Sequence, residues 1–214
     1  MKKAFLFDLD GTLLNTTKDI GLAMGKALGT TFTDEQINRY IGNGLKNAIK
    51  TAAIEMGLKD FDLEALNESL HTYYRQVPVL HTAPFPGVTE ILGRLQDRNI
   101  PVGIYSNKEQ DLAETVVHTC FRDMNFAFIA GQHGKYEMKP SPQAIFAFCE
   151  TVGVGIADTL YVGDSEVDYR TACNAGIDRR ILTCGSRTKE NLIRSGVPAD
   201  EMIDSFCCLS EFIG

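Results

Sequence analysis

At 214 residues, 44% hydrophobic and 23% charged, the chain has enough apolar content for a substantial core and the make-up of an ordinary globular protein. A formal charge of −7 with no basic run argues against a nucleic-acid binder and against an anionic membrane surface as partner. No segment approaches the ~18 consecutive apolar residues of a bilayer-spanning helix, so the chain reads as soluble and cytoplasmic.

The opening MKKAFLFDLDG has an apolar stretch too short for a signal-peptide core, and it predicts a first strand over Lys3–Asp8. Side chains alternate along a strand, so Asp8 and Asp10 face one way and Leu9 the other. Two carboxylates that close repel and favour protonating each other, which calls for a cation nearby. From Asn15 to Pro86 no strand pattern appears. Helical periodicity is found instead over Thr17–Leu28, Asp34–Tyr40, Gly44–Met56 and Leu63–Tyr74, with a capping-box signature at Thr33–Gln36. The segment PVLHTAPFPG then reads as a stiff return linker.

Beyond it, strand-like runs at Ile100–Ser106, Phe126–Ala130, Thr159–Gly163, Arg180–Thr183 and Met202–Phe206 alternate with amphipathic helices. These lie at Val88–Arg98, Glu109–Cys120, Pro142–Val152, Glu166–Ala175 and Arg187–Ser195. The alternation predicts an α/β fold: a Rossmann-like parallel sheet with helices on both faces, formed by residues 1–14 and 86–214 and split by an all-helical insertion, residues 15–85. The six cysteines (120, 149, 173, 184, 207 and 208) show neither CxxC nor zinc spacing and read as reduced core residues, and the adjacent Cys207 and Cys208, a pair that bridges poorly, are assigned no function.

Open parallel sheets bind ligands beyond the carboxyl ends of their strands. The predicted ends carry Asp8 and Asp10, then Ser106 and Asn107, then Asp164, with Asp168 one helical turn further on if Asp164 opens the following helix. Lys139 precedes Pro140 and so projects from a short extended loop, with Ser141 as helix N-cap and Pro142 at the first helical position. Four carboxylates against one ammonium leave about three negative charges, which a hard divalent cation such as Mg2+ resolves. In the insertion, Gly42-Asn43-Gly44 precedes a helix whose exposed amides suit an anion, although an ordinary helix start between two glycines fits equally. Lys46 and Arg75 either add charge there or are solvated helix residues, Lys108 falls at the site rim, and His133 lies in a loop.

The set DxDGT (Asp8–Thr12), Ser106 at a strand end, Lys139-Pro140 and GDSxxD (Gly163–Asp168) resembles the four motifs of the haloacid dehalogenase superfamily, in order and across the whole chain. The helical insertion resembles that superfamily's C1 cap, and IGNG, PFPGVTEIL and SNK are similar to bacterial phosphoglycolate phosphatases. The resemblance implies a phosphoryl-transfer enzyme in which Asp8 is the nucleophile and Asp10 the general acid and base. It also implies that Ser106, Asn107 and Lys139 bind phosphate, that Asp8, Asp10 (through its carbonyl) and Asp164 hold Mg2+, and that Asp168 orders the metal's shell. An aspartate at position 10 speaks against the dehalogenase branch. Gly42, Asn43, Gly44 and Lys46 become the candidates for substrate selection. The expected partner is a small phosphorylated metabolite, phosphoglycolate-like, acted on by a monomer or homodimer. A β-phosphoglucomutase-type mutase, a pyrophosphatase or nucleotidase, and a non-enzymatic binding protein remain the alternatives.

Overall fold

The computed structural model describes residues 1–213. In chain order its elements are β1 (Ala4–Phe7), β2 (Leu14–Asn15), α1 (Thr17–Leu28), α2 (Asp34–Tyr40), α3 (Leu45–Glu55), α4 (Leu63–Gln76), β3 (Ala83–Pro84), α5 (Val88–Asp97) and β4 (Val102–Glu109). They continue with α6 (Gln110–Cys120), β5 (Phe128–Gln132), α7 (Gln143–Val152), β6 (Thr159–Gly163), α8 (Glu166–Ala175), β7 (Asp178–Leu182), α9 (Lys189–Arg194), β8 (Met202–Ile203) and α10 (Ser210–Ile213).

Six strands form one parallel sheet in the order β5-β4-β1-β6-β7-β8. An apolar run buried at every residue is what a central parallel strand requires, and β1 is such a run. Phe5 and Phe7 point to one face and pack with Ile91, Leu92 and Leu95 of α5 and Val116 and Val117 of α6. Ala4 and Leu6 point to the other and pack with Ile145 and Phe148 of α7 and Ala172 of α8. Burying one such aromatic or aliphatic side chain is worth about 1.5–3 kcal/mol. Helices therefore cover both faces, as the periodicity predicted. The chain fills one side of β1 with β4 and β5, then crosses to β6, β7 and β8, so the switch point lies between β1 and β6.

Helices α1 to α4 form a separate layer with its own apolar cluster, including Ile20, Met24, Ile37, Ile49, Leu70 and Tyr74, which Leu112 of α6 joins from the core. The Thr33 box forms as expected: its hydroxyl accepts from Gln36 N and the Gln36 side chain accepts from Thr33 N. The layer departs and returns through β2 and β3, which pair antiparallel, Leu14 with Pro84 and Asn15 with Ala83. Asp19 of α1 secures the return. Its carboxylate accepts from Leu80 N, His81 N, Thr82 N and the Thr82 hydroxyl at 2.7–3.0 Å.

Several expectations shift. Strand β4 begins later and runs through Ser106 to Glu109, with a register irregularity between Tyr105 and Glu109. The sixth strand shortens to two residues and gives way to a 3-10 turn over Phe206–Leu209. The helix expected over Arg187–Ser195 starts at Lys189 with Thr188 as its cap, which releases Arg187 from the helix. The cysteines are free, but none is a core residue: Cys120 and Cys149 are half-buried and the other four exposed.

Candidate active site

The carboxylates converge because β1 and β6 are hydrogen-bonded neighbours. Asp8 N donates to Val162 O (2.9 Å), which carries the strand geometry up to Asp8. Gly11, at φ +91°, turns the chain immediately afterwards, and a Cβ there would lie 2.4 Å from Asp164 Oδ2. Only glycine lets the two strand ends approach this closely. Asp164 sits just before the helix rather than inside it. Ser165 is the N-cap of α8, and Asp168 completes a capping box with it.

Oxygens of Asp8, Asp164 and Asp168, all buried, lie within 4.8 Å of one another, the one such acidic group among the described residues. Burial raises the Asp8 carboxyl well above its ordinary range, and the Asp168 and Asp164 charges add to this against the opposing Lys139. Asp164 is pushed up to about 6 by burial and by Asp168. Burial would raise Asp168 as well, but Lys139, Ser165 and Tyr161 outweigh it and hold that carboxyl low.

The donor inventory separates their capacities. Asp168 Oδ1 accepts from Lys139 Nζ (2.7 Å) and Tyr161 OH (2.8 Å), and Oδ2 from Ser165 N (3.1 Å), Ser165 Oγ (2.5 Å) and Asp164 N (3.3 Å). It has no lone pair to spare. Asp8 Oδ2 and Asp164 Oδ1 see only the Thr12 hydroxyl, at 3.4 and 3.2 Å. These two oxygens, buried, electron-rich and nearly unpartnered, suit a hard cation.

Lys139 is brought in as expected, its Nζ also 2.6 Å from Asp8 Oδ1. The Lys139–Pro140 peptide is cis. The Tyr105 hydroxyl braces the loop against the carbonyls of Glu137 (2.7 Å) and Ser141 (2.9 Å). Helix α7 begins one residue later than expected, with Pro142 at its cap position, although the Ser141 hydroxyl still accepts from Gln143 N (3.4 Å). Ser106 is buried at the site, its hydroxyl oxygen accepting from Lys108 N at 3.2 Å, which leaves its own proton free to donate.

Asn107 corrects an expectation. Its amide is spent on backbone: Oδ1 accepts from Lys139 N (2.8 Å), and Nδ2 donates to Lys139 O (3.2 Å) and Gly42 O (3.1 Å). The side chain ties the lysine loop to the insertion and has no donor left for phosphate. Lys108 corrects another. It is not at the rim but enclosed, its Nζ 2.8 and 2.9 Å from the two Asp10 carboxylate oxygens and 4.7 Å from the Tyr74 ring centroid of α4.

Of the insertion candidates, Gly42 and Gly44 line the cleft with Ile20, Ile41 and Leu45. Asn43 is exposed, its carbonyl held by Asn47 Nδ2, and Lys46 pairs with Glu64, so neither faces the cleft. Arg75 pairs with Glu109 and Asp111 on the outer seam between α4 and the core. His133 is exposed in its loop. The enclosed space is only about 30 Å3, room for about two waters. A larger open groove of about 780 Å3 lies elsewhere, on α1 and α2, so size does not locate the chemistry.

The family described as Haloacid dehalogenase-like hydrolase matches residues 5–181, a span that takes in every one of these carboxylates. The chain belongs to the haloacid dehalogenase-like hydrolases. Among relatives, a phosphoglycolate phosphatase of Aquifex aeolicus (strain VF5) is 32% identical over 187 residues, covering 86% of this chain and 85% of its own length. An N-acetylmuramic acid 6-phosphate phosphatase of Pseudomonas putida is 31% identical over 179 residues, covering 81% and 79%. A solved structure from Lactobacillus delbrueckii subsp. bulgaricus, provisionally named a phosphoglycolate phosphatase, superposes with a TM-score of 0.87 at 26% identity, covering 100% of this chain and 99% of that one. The protein is a hydrolase of phosphate monoesters. No helix among the described residues is long and apolar enough to cross a membrane.

In this haloacid dehalogenase-like hydrolase the loop after β7 supplies functional residues that the periodicity missed. Ser186 N (2.6 Å) and its hydroxyl both donate to Asp164 Oδ2. A Cβ on Gly185 would lie 2.3 Å from Gly11 O. Arg187 reaches across to the insertion, donating from Nη2 to Ile41 O (2.7 Å) and from Nη1 to Asn38 O, while Nε faces Glu166 (3.2 Å). The strand-end rule points to this loop as well, since β7 neighbours β6.

Proposed function

We propose that the protein is a Mg2+-dependent phosphatase of a small-metabolite monoester, phosphoglycolate-like, working through an aspartyl-phosphate. The observation that carries this reading is the pairing of a buried, hydrogen-bond-poor oxygen on Asp8 with a half-buried Asp10 two residues further on, at the same strand end. In the first step an Asp8 oxygen forms a bond to phosphorus as the ester P–O bond breaks, and protonated Asp10 gives its proton to the leaving oxygen. In the second, Asp10 takes a proton from water, the water oxygen bonds to phosphorus, and the Asp8–phosphorus link breaks to release phosphate. Ser106 Oγ and Lys139 Nζ are the donors for the transferring oxygens.

Asp8, Asp164 and the Asp10 carbonyl would hold the Mg2+, with Asp168 positioning Lys139 beside it. Bound there, the ion offsets the carboxylate repulsion and the charge of the phosphoryl group. Residues 1–14 and 86–214 serve as the catalytic core, and residues 15–85 as a cap that excludes water and selects the ester. A cytoplasmic enzyme free of nucleic-acid and membrane partners fits the acidic charge. The named relatives support the substrate class and its small size.

The test is phosphate release from a panel of small esters, with phosphoglycolate, pyrophosphate, nucleoside monophosphates and hexose phosphates, with and without Mg2+. Release that requires Mg2+ and prefers one small ester is expected. Conversion of hexose 1-phosphate to 6-phosphate without phosphate release would instead make it a mutase.

A further inference from the structure

Helix α1 presents two different faces. Ile20, Ala23 and Met24 are buried in the insertion, and Ile20 lines the catalytic cleft. Lys18, Leu22 and Lys26, one turn apart, form a row along the outer face. Leu22 in the middle of that row is 47% exposed. Hollows flank it on both sides: the groove of about 780 Å3 toward α2 and one of about 220 Å3 toward α4, with Leu22 and Lys26 lining both. Tyr73, Val77 and Leu80, around the second hollow, are exposed as well, Leu80 at 58%. Exposed apolar side chains gathered on one face mark a surface that meets another molecule.

The charges on this face decide which molecule fits. Helix α2 runs back along α1: the Thr17 hydroxyl donates to Asn38 Oδ1 (2.7 Å), a Cβ on Gly21 would lie 3.2 Å from Ile37 Cγ1, and Thr30 N donates to Gly25 O (3.0 Å). Lys18 therefore stands at one end of the groove, and Asp34 stands at the other with Lys26 and the exposed Glu35. Among the described residues no ion pair involves any of these four. A twofold axis across the row turns the Lys18 end of one copy onto the Asp34 end of the other. Each end then gathers Lys18 of one copy with Lys26, Asp34 and Glu35 of the other, two ammonium groups against two carboxylates. The row of each helix enters the groove beside the other's row, as i, i+4 ridges do when helices pack.

We propose that this face of the insertion is a homodimer interface, in which α1 packs on α1 of a second copy about a twofold axis through Leu22, and Lys18 of each copy pairs with Asp34 of the other. Residues two apart on a helix point to opposite sides, so Ile20 and the cleft it lines face away from the join in both copies.

The experiment is sedimentation velocity on the full chain from about 1 to about 200 μM, a range that brackets micromolar association. The wild type should move from a 23.6 kDa species to one of twice that mass as concentration rises. Leu22→Asp, which sets two carboxylates against each other at the axis, should weaken association by at least about a hundredfold. Lys18→Glu and Asp34→Lys should each weaken it by at least about tenfold, and the double variant should return it to within about threefold of the wild type. A wild type that stays monomeric over the whole range overturns the interface, and this result needs no variant. A dimer that persists in Leu22→Asp, shown folded by thermal melting, places the contact elsewhere and overturns it too. Single charge reversals that weaken the dimer with no recovery in the double variant overturn the Lys18–Asp34 pairing and with it the twofold arrangement.

Discussion

The Lys139 ammonium bridges Asp8 and Asp168 at 2.6 and 2.7 Å, and Asp168 accepts three further donors from Tyr161 and Ser165. Asp168 is thus the anchor that holds the lysine at the strand end. In Asp168→Asn the amide sets its own N–H groups against some of those donors. Removing one member of a buried pair costs about 3–5 kcal/mol. We expect a lower urea midpoint and a fall in kcat of about a hundredfold, as for loss of one charge-stabilising donor. Unchanged kcat would place Lys139 under other control.

Asp8→Asn should separate stability from turnover. Burial and two neighbouring carboxylates make an ionised Asp8 costly in the folded chain. The amide removes that cost, so in metal-free buffer the variant should melt no lower than the wild type while phosphate release is abolished. Thermal scans and a turnover assay on one preparation read both. A sharply lower melting temperature would show that the Lys139 contact outweighs the repulsion.

The raised carboxyls also set a pH dependence. Asp164, at about 6 when folded, lies above its unfolded value of 3.8. Between those values the folded chain holds a proton that the unfolded chain has lost, so stability falls as pH rises through this window. Asp8 acts in the same direction. Asp168 acts in the opposite one, but only in the more acid range, because its value is lowered. Mg2+ competes with these protons. It should therefore raise the melting temperature markedly at about pH 7.5 and little at about pH 5. An equal rise at both would argue against binding at these carboxylates.

Arg187 joins the loop carrying Ser186 to the C-terminal end of α2. In Arg187→Met two backbone carbonyls of the insertion lose a charged donor, each such bond being worth about 1.5–3 kcal/mol. Amide hydrogen exchange over residues 41–45 should speed up by at least about tenfold, with the sheet unaffected. Exchange that stays at the wild-type rate would mean that Asn107 alone holds Gly42.

The residues legible beforehand share one property: they end apolar runs. Asp8, Ser106 and Asp164 each follow such a run, and Lys139 is marked by its proline, so a strand-end rule collects them without any contact being known. Ser186 and Arg187 are hidden because the helical pattern runs back over Arg187, whereas Thr188 caps the helix and sends Arg187 toward the insertion. The depth of Lys108 and the backbone duties of Asn107 depend on α4 and the Gly42 loop closing over β4, a packing of distant segments that no local period records. Strands β2 and β3 have two residues each, too few for alternation to show.

That two-residue pairing has a structural corollary. Leu14 and Asn15 leave beside Ala83 and Pro84, so the sheet meets the whole helical layer as it would meet the tip of a hairpin. Whatever is threaded between those two rungs, long or short, leaves the strand order untouched, because lengthening a closed loop adds little entropic cost. The helical layer can therefore change in length or make-up while the sheet edge that gathers Asp8, Asp164 and Lys139 keeps its register.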